Sequence, residues 1–338
     1  MISPNPARIF RTLTAFHETA ALKAGIELEL FTAIAEGHDT PADLARHIGA
    51  SERGTRILCD SLVVLEFLTK RDGRYGLAPD TALFLDKRSP AYVGAASEFL
   101  VDESQRTGAY ELLTDAVRKG GAAFSEEGTV SRENPIWLTF ARTMAPLMGP
   151  AAQRLAARVG SESGPLSVLD IAAGHGLFGI AFATRNPQAT VTGVDWKFVL
   201  EAAVENATAA GVADRYRTIP GSAFEVDLGG PYDIALLPNF LHHFDEDTCV
   251  GMLKRLHDAM RPGGTLAVVE FVPNEDRVSP PWDALFALIM LASTGHGDAY
   301  TFGDLARMCA KAGFANAELI TLDPLPQRVV VARRSTGS

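Results

Sequence analysis

Apolar positions along the first hundred residues recur at helical spacing and then switch to a short extended pair. Leu22, Ile26, Leu30, Phe31 and Ile34 form one stripe, which predicts a helix over Ala21–Ala35. Thr40-Pro41 supplies an N-cap and a first-turn proline for a short helix through Leu44 and Ile48. Ser51 opens a third, striped by Ile57, Leu58, Leu62, Val63 and Leu65. Phe67–Lys70 and Arg74–Leu77, joined through Asp72-Gly73, predict a β-hairpin. Residues 101–160 keep a helical pattern broken at Gly120-Gly121 and Gly128. Within them Trp137, Phe140, Met144 and Met148 recur at near-helical spacing, a stripe that serves either as core or as pocket lining.

From residue 165 the texture becomes short β-rich runs separated by helical patterns: Leu166–Ala172, Ala189–Val194, Tyr216–Ile219, Ile234–Leu237 and Thr265–Phe271. That alternation predicts an α/β architecture with a parallel, doubly wound, Rossmann-like sheet. Ala317–Leu322 and Arg328–Ala332 are separated only by Asp323–Gln327, too short for a parallel crossover, so they should close the fold as an antiparallel hairpin. The expected domains are therefore 1–100, mostly helical with the layout of a winged helix; 101–160, a helical connector; and 161–338, the doubly wound domain.

Composition narrows what such a chain does. The 338 residues are 47% apolar and 21% charged, enough for a sizeable core. Asp and Glu total 41 against 31 Lys and Arg, a net charge of −10, which is the wrong sign for gripping phosphate backbones. The third helix mixes Arg53 and Arg56 with Asp60, so the winged-helix layout reads as a packing module, with a DNA-binding regulator as the lesser alternative. The longest apolar run, Ala284–Ala292, has nine residues, short of the ~20 that span a bilayer, and Met1–Arg11 lacks a signal-peptide layout; a cytoplasmic protein without a membrane partner is expected. Cys59, Cys249 and Cys309 are far apart and predict reduced thiols.

Candidate chemistry begins at Val168–Gly179, where a strand runs into Gly174-His175-Gly176-Leu177-Phe178-Gly179. A glycine turn of this kind serves nicotinamide, flavin and S-adenosylmethionine sites alike. Asp170, four residues before Gly174, would face a cationic ligand and repel a pyrophosphate, which favours the sulfonium cofactor. His175 is expected to touch cofactor or solvent without reacting. Asp195 ends the second strand, placed for the ribose hydroxyls, with Trp196 for the adenine face. After the fourth strand comes Leu237–Asp247, in which Asp245 should cap a helix that is acidic at its start. His242, His243 and Asp245 come from one short segment with no partner motif, so no metal is expected.

The ordered set LDIAAGHG, GVDW, GSAF, LPNFLHHFDED and RPGGTLAVVEF, with the closing strand pair, resembles the class I S-adenosylmethionine-dependent methyltransferases. With its N-terminal module the chain is similar to the small-molecule O-methyltransferases of the caffeic-acid and hydroxyindole type, which dimerise through that module. The resemblance implies cofactor contacts at Ala172, Gly174, Gly176, Ser222, Ala223, Phe224, Pro238 and Asn239, besides Asp170, Asp195 and Trp196. It places His242 as general base and Glu270 as its bracing carboxylate; His243 is the rival base or a substrate contact, and motif register favours His242. Phe140, Met144, Met148, Phe286 and Met290 then become acceptor-pocket residues, with an apolar, aromatic small molecule as partner. Three positions depart from the pattern: Ser222 replaces an acid, Pro238 a lysine, and Ala299 a second bracing glutamate. A free imidazole titrates near ~6.5 and a phenol near ~10, so complete proton transfer is uphill by ~5 kcal/mol. The site must supply that difference with one carboxylate fewer, and a non-methylating reaction on the same scaffold stands as the alternative.

Overall fold

The computed structural model describes residues 5–102 and 108–335 and divides into two units, Met1–Ser97 and Glu98–Ser338. In the first, helices Phe16–Glu27, Leu30–Ala35, Pro41–His47 and Glu52–Val64 pack around Leu30, Phe31, Leu44, Cys59 and Leu62. The expected single helix over Ala21–Ala35 is broken: Glu29 takes a positive φ of 53°, and the turn it makes brings Leu30, Phe31 and Ile34 inward together. The capping expectations hold. Thr40 Oγ1 accepts from Asp43 N at 3.3 Å, and Ser51 Oγ accepts from Gly54 N at 3.1 Å. Strands β1 (Leu68–Arg71) and β2 (Arg74–Leu77) pair across Asp72 and Gly73, both at positive φ, as a two-residue hairpin turn requires. Helix Ala7–Thr14 buries no residue and leaves Ile9, Phe10 and Leu13 at least 60% exposed, followed by Phe16 at 65%.

The second unit is built on seven strands: β3 (Leu166–Ile171), β4 (Ala189–Asp195), β5 (Tyr216–Pro220), β6 (Tyr232–Pro238), β7 (Met260–Glu270), β8 (Phe314–Thr321) and β9 (Arg328–Arg334). Their order is β5-β4-β3-β6-β7-β9-β8. The first five are parallel, and β9 runs antiparallel to both neighbours, the expected closing hairpin. Strand β7 starts earlier than its apolar run suggests. Tyr232 pairs with Met260 while Ile234 pairs with Thr265, so Arg261-Pro262-Gly263-Gly264 bulges out of the ladder, with Gly263 at φ 76°. One face of the sheet packs on helices Glu246–Ala259 and Phe302–Lys311 through Leu253, Leu256, Leu305 and Met308. The chain leaves β3 for β4 on one side and reaches β6 on the other, so the carboxyl ends of β3 and β6 flank a topological switch point, where ligands of open α/β sheets bind. No helix among the described residues is long and apolar enough to cross a membrane.

Candidate active site

A cavity of about 1010 Å³ opens over the carboxyl ends of β3, β4 and β6, lined by residues of the second unit alone. Its floor is the glycine turn after β3, where Ala172, Gly174 and Gly176 take φ of 50°, 55° and 73°. The glycines do different work. A Cβ on Gly174 would point at the Phe140 ring, 3.7 Å away across the cavity wall; on Gly176 it would meet Ala203 and the Tyr216 hydroxyl at 2.9 Å; on Gly179 it would strike Val191 at 2.5 Å. Gly174 therefore keeps the floor open, while Gly176 and Gly179 let the following helix, Leu177–Arg185, sit close to the sheet.

Two acids hold this turn from opposite sides. Asp195 lines the cavity, its Oδ2 accepting from Gly174 N at 2.8 Å and its Oδ1 from Trp196 N at 2.7 Å. Desolvation pushes its carboxyl up to about 6, against those two amides. Asp170 is wholly buried and does not line the cavity. Its Oδ2 accepts from Gly179 N at 2.9 Å, and Oδ1 has no hydrogen-bond partner among the described residues. Desolvation raises it to about 8, with the Asp195 charge a smaller contribution. The expected contact of Asp170 with a cationic ligand is thus corrected: the carboxyl lies beneath the turn and braces it. Gly176 is likewise a packing position. His175 is also closed off, 3% exposed, its Nδ1 accepting from Leu177 N at 3.1 Å, and burial lowers it to about 4, so the ring is a neutral cap on the helix start.

The turn after β6 carries the two neighbouring histidines, His242 and His243. Asn239 leaves the strand at φ 53°, tied by its N–H to Val269 O at 2.8 Å, and Leu241–His243 forms a single tight turn. Glu270, at the end of β7, is 3% exposed, and its Oε1 accepts from the N–H groups of Phe240, Leu241 and His242 at 3.1, 2.9 and 3.3 Å. Its Oε2 is in hydrogen-bond contact with His242 Nδ1, which leaves Nε2 as the nitrogen without a hydrogen-bond partner among the described residues. The Phe286 ring stands edge-on to that imidazole, 4.8 Å between centroids, and the His243 ring lies 4.1 Å away. His243 Nδ1 turns instead to Phe240 O at 3.2 Å, and its ring meets Trp137 edge-on at 5.2 Å. Ala299 is buried, as a bare methyl. The neighbouring Asp298 does not replace a second carboxylate at the histidine, because its side chain is turned to Arg277 at 3.2 Å. Asp245 caps the helix Glu246–Ala259 as expected, accepting from Thr248 N at 2.7 Å, and that bond holds its carboxyl below the usual range.

The remaining expected positions gather on this cavity. Ala172, Trp196, Ser222, Ala223, Phe224, Pro238 and Asn239 line it, as do Phe140, Met144, Met148, His243, Phe286 and Met290. The carboxamide Oδ1 of Asn239 is buried and unpartnered among the described residues, an acceptor left open for a ligand. Glu126–Arg132, missed in the sequence, also reaches the wall: Gly128 bridges to Thr294, and Thr129 N donates to Ser293 O at 2.7 Å. Its one signal was Gly128, which takes φ 62° where a Cβ would meet Ser293 O at 2.1 Å.

Comparison with known proteins places these features. A model of the O-methyltransferase domain matches residues 110–315, and one of the O-methyltransferase dimerisation domain matches residues 10–87. Among curated relatives, 3-hydroxy-5-methyl-1-naphthoate 3-O-methyltransferase of Streptomyces sahachiroi is 28% identical over 93% of this chain and 91% of its own. Acetylserotonin O-methyltransferase of Mus musculus is 28% identical over 94% and 87%. A crystal structure assigned to the O-methyltransferases, from Nostoc punctiforme, superposes with a TM-score of 0.95 at 50% identity, covering 98% of this chain and 100% of that one. Human N-acetylserotonin methyltransferase in complex with S-adenosylmethionine shares the fold, with a TM-score of 0.84 at 22% identity over 99% of both chains.

Proposed function

The chain belongs to the S-adenosylmethionine-dependent O-methyltransferase family, and on that premise we propose that it methylates a hydroxyl of a small aromatic acceptor, with His242 as the base. The observation that carries this reading is the pair His242 and Glu270. A buried carboxylate fixes Nδ1 of an imidazole that lines the cavity, so Nε2 is the nitrogen available to take a proton.

The residues present fit the cofactor. Gly174 leaves room where a side chain would intrude, the Asp195 carboxyl borders the cavity as an acceptor for ribose hydroxyls, and Trp196 and Phe224 offer flat faces to an adenine. Ser222 and the open Oδ1 of Asn239 complete the polar set. S-adenosylmethionine supplies an electrophilic methyl group when bound. The chain's own residues do the rest. Glu270 holds the imidazole in one orientation, and the proton passes from the acceptor oxygen to Nε2 as that oxygen becomes a nucleophile. Phe286, Met290, Phe140 and Trp137 exclude water from the transfer and orient a flat acceptor by shape. With Ala299 in place of a second carboxylate, this base is weaker than a doubly braced one and suits hydroxyls more acidic than a simple phenol.

Residues 101–160 act as a connector that supplies the acceptor wall, since Phe140, Met144 and Met148 lie on it. The N-terminal unit, read as a winged-helix-like module, pairs two copies of the chain. Its match to a dimerisation domain and the exposed apolar stripe of Ala7–Thr14 support that reading. We place the enzyme in the cytoplasm, without nucleic-acid or membrane partners, on the strength of its charge and short apolar runs.

The test is incubation with labelled methyl donor and a panel of phenols of graded acidity, reading S-adenosylhomocysteine and methyl ether. Turnover should rise with phenol acidity. A protein that binds the cofactor yet gives no S-adenosylhomocysteine with any acceptor overturns the proposal in favour of a non-methylating reaction.

A further inference from the structure

We propose that Glu36, His38 and His47 form a site for one divalent transition-metal ion, zinc by the chemistry of its donors, in the N-terminal unit. One ligand atom from each residue lies within 4.8 Å of the other two. Spacing alone does not reveal the cluster, because the donors come from two elements: Glu36 closes the helix Leu30–Ala35, His38 follows Gly37, and His47 ends the helix Pro41–His47. Gly37, at φ 99°, makes the bend that turns one helix back toward the other.

The three donors lie near one another without yet converging on one point. Glu36 Oε2 and His47 Nε2 are 3.7 Å apart, and the rings of His38 and His47 lie 4.0 Å apart at 29°. Two ligands each 2.0–2.1 Å from a tetrahedral zinc stand about 3.4 Å apart. Binding one ion requires the His47 ring to swing out of its stack on His38, and its half-exposed position leaves it room to do so. A second observation points the same way. Asp43 Oδ2 lies 2.7 Å from His38 Nδ1, so that nitrogen donates to the carboxylate and Nε2 is left bare as a ligand. Asp43 is itself fixed, by Arg46 Nη1 at 2.9 Å and by the Thr40 cap on its own N–H. A carboxylate behind a metal-binding histidine is the arrangement that orients such rings and raises their basicity.

The charges around the cluster permit a cation. Arg88 approaches only the other oxygen of Glu36, at 3.8 Å, and is engaged by Asp86 at 2.9 Å; Arg46 faces Asp43. Two neutral imidazoles and one carboxylate leave a fourth position for water. The bound ion would pin the end of one helix to the last turn of the next, a structural role separate from methyl transfer.

The experiment uses the full chain stripped with chelator, titrated with Zn²⁺ by calorimetry, with metal content measured after gel filtration and melting followed in parallel. The wild type should retain one ion per chain and melt higher with it. His38→Ala with His47→Ala should abolish uptake while retaining the wild-type circular dichroism. Asp43→Asn, which leaves every ligand in place, should weaken affinity by about 10–100-fold. No uptake by the wild type, or undiminished uptake by the double variant, overturns the site; full affinity in Asp43→Asn overturns the bracing role of Asp43. Methyl transfer is not the readout, so failure here leaves the assignment of the catalytic cavity untouched.

Discussion

Glu270 grips His242 twice, through the imidazole Nδ1 and through the backbone N–H at 3.3 Å, while the same carboxylate gathers the amides of Phe240 and Leu241. Ring orientation and turn conformation therefore depend on one side chain 28 residues downstream.

His242→Ala should lower kcat by about 10²–10⁴-fold, the usual worth of a positioned base. S-adenosylhomocysteine affinity, measured by calorimetry, should stay within about threefold, because the glycine turn and Asp195 are untouched. Wild-type turnover in this variant would remove the residue from the mechanism.

Glu270→Gln keeps an oxygen for the three amides but loses the anion beside the imidazole, so kcat should fall about tenfold or more with little change in melting. Glu270→Ala strands buried donors as well and should cost on the order of 3 kcal/mol of stability in denaturant unfolding. Equal melting of the two variants would contradict the double role.

Asp195→Ala should weaken S-adenosylhomocysteine binding by roughly 10–100-fold, through lost hydrogen bonds to a charged acceptor and a loosened Gly174 amide. Asp195→Asn, which still offers one oxygen to that amide, should recover part of the loss. The quantity to compare is the dissociation constant of each variant.

The pH dependence of stability should reveal Asp170. Its folded carboxyl titrates near 8, above its unfolded value, so the stabilisation it gives is present in acid and is lost as pH rises toward about 8. Asp170→Asn mimics the protonated form. The melting temperature of the variant minus that of wild type should therefore grow between about pH 5 and about pH 8.5. A difference that is flat or shrinks across that interval would show that the carboxyl is ionised throughout.

Phe10→Asp with Leu13→Asp places charge on the exposed stripe of helix Ala7–Thr14. Light scattering after gel filtration should report a dimer for wild type and a monomer for the variant. A variant that stays dimeric would move the pairing surface elsewhere.

Much of this architecture was legible from pattern. The β-rich runs near 166, 189, 216, 234 and 265 each mark a strand, with Ala172 and Phe271 falling just past the ends of theirs; the central strands read as continuous apolar segments because both their faces are buried, whereas β5 at the edge is largely exposed. Motif order singled out His242 and Asp195, which line one cavity, and Glu270, which is buried behind the His242 ring. Side-chain direction was not legible. Asp170 and Asp195 both end strands beside the glycine turn, yet only Asp195 borders the cavity; in Asp170 the Gly179 amide and the close packing of Leu177–Arg185 draw the carboxyl under the turn. His175 sits in the motif's centre but caps a helix, and Glu29 breaks a helix that its neighbours' periodicity would continue. Each outcome was decided by contacts between residues distant in sequence.

Helix Pro281–Ser293 supplies Phe286, Ile289 and Met290 to the cavity but no atom to the glycine turn or to the grip on His242. On the proposed reading, part of the acceptor wall thus lies on a helix separate from the glycine turn and from the carboxylate that holds His242, though its Phe286 packs against that imidazole. On that reading, changes at Ile289 and Met290 would reshape the acceptor wall while leaving the glycine turn and the His242–Glu270 pair in place, a modularity that favours diversification into new small-molecule products.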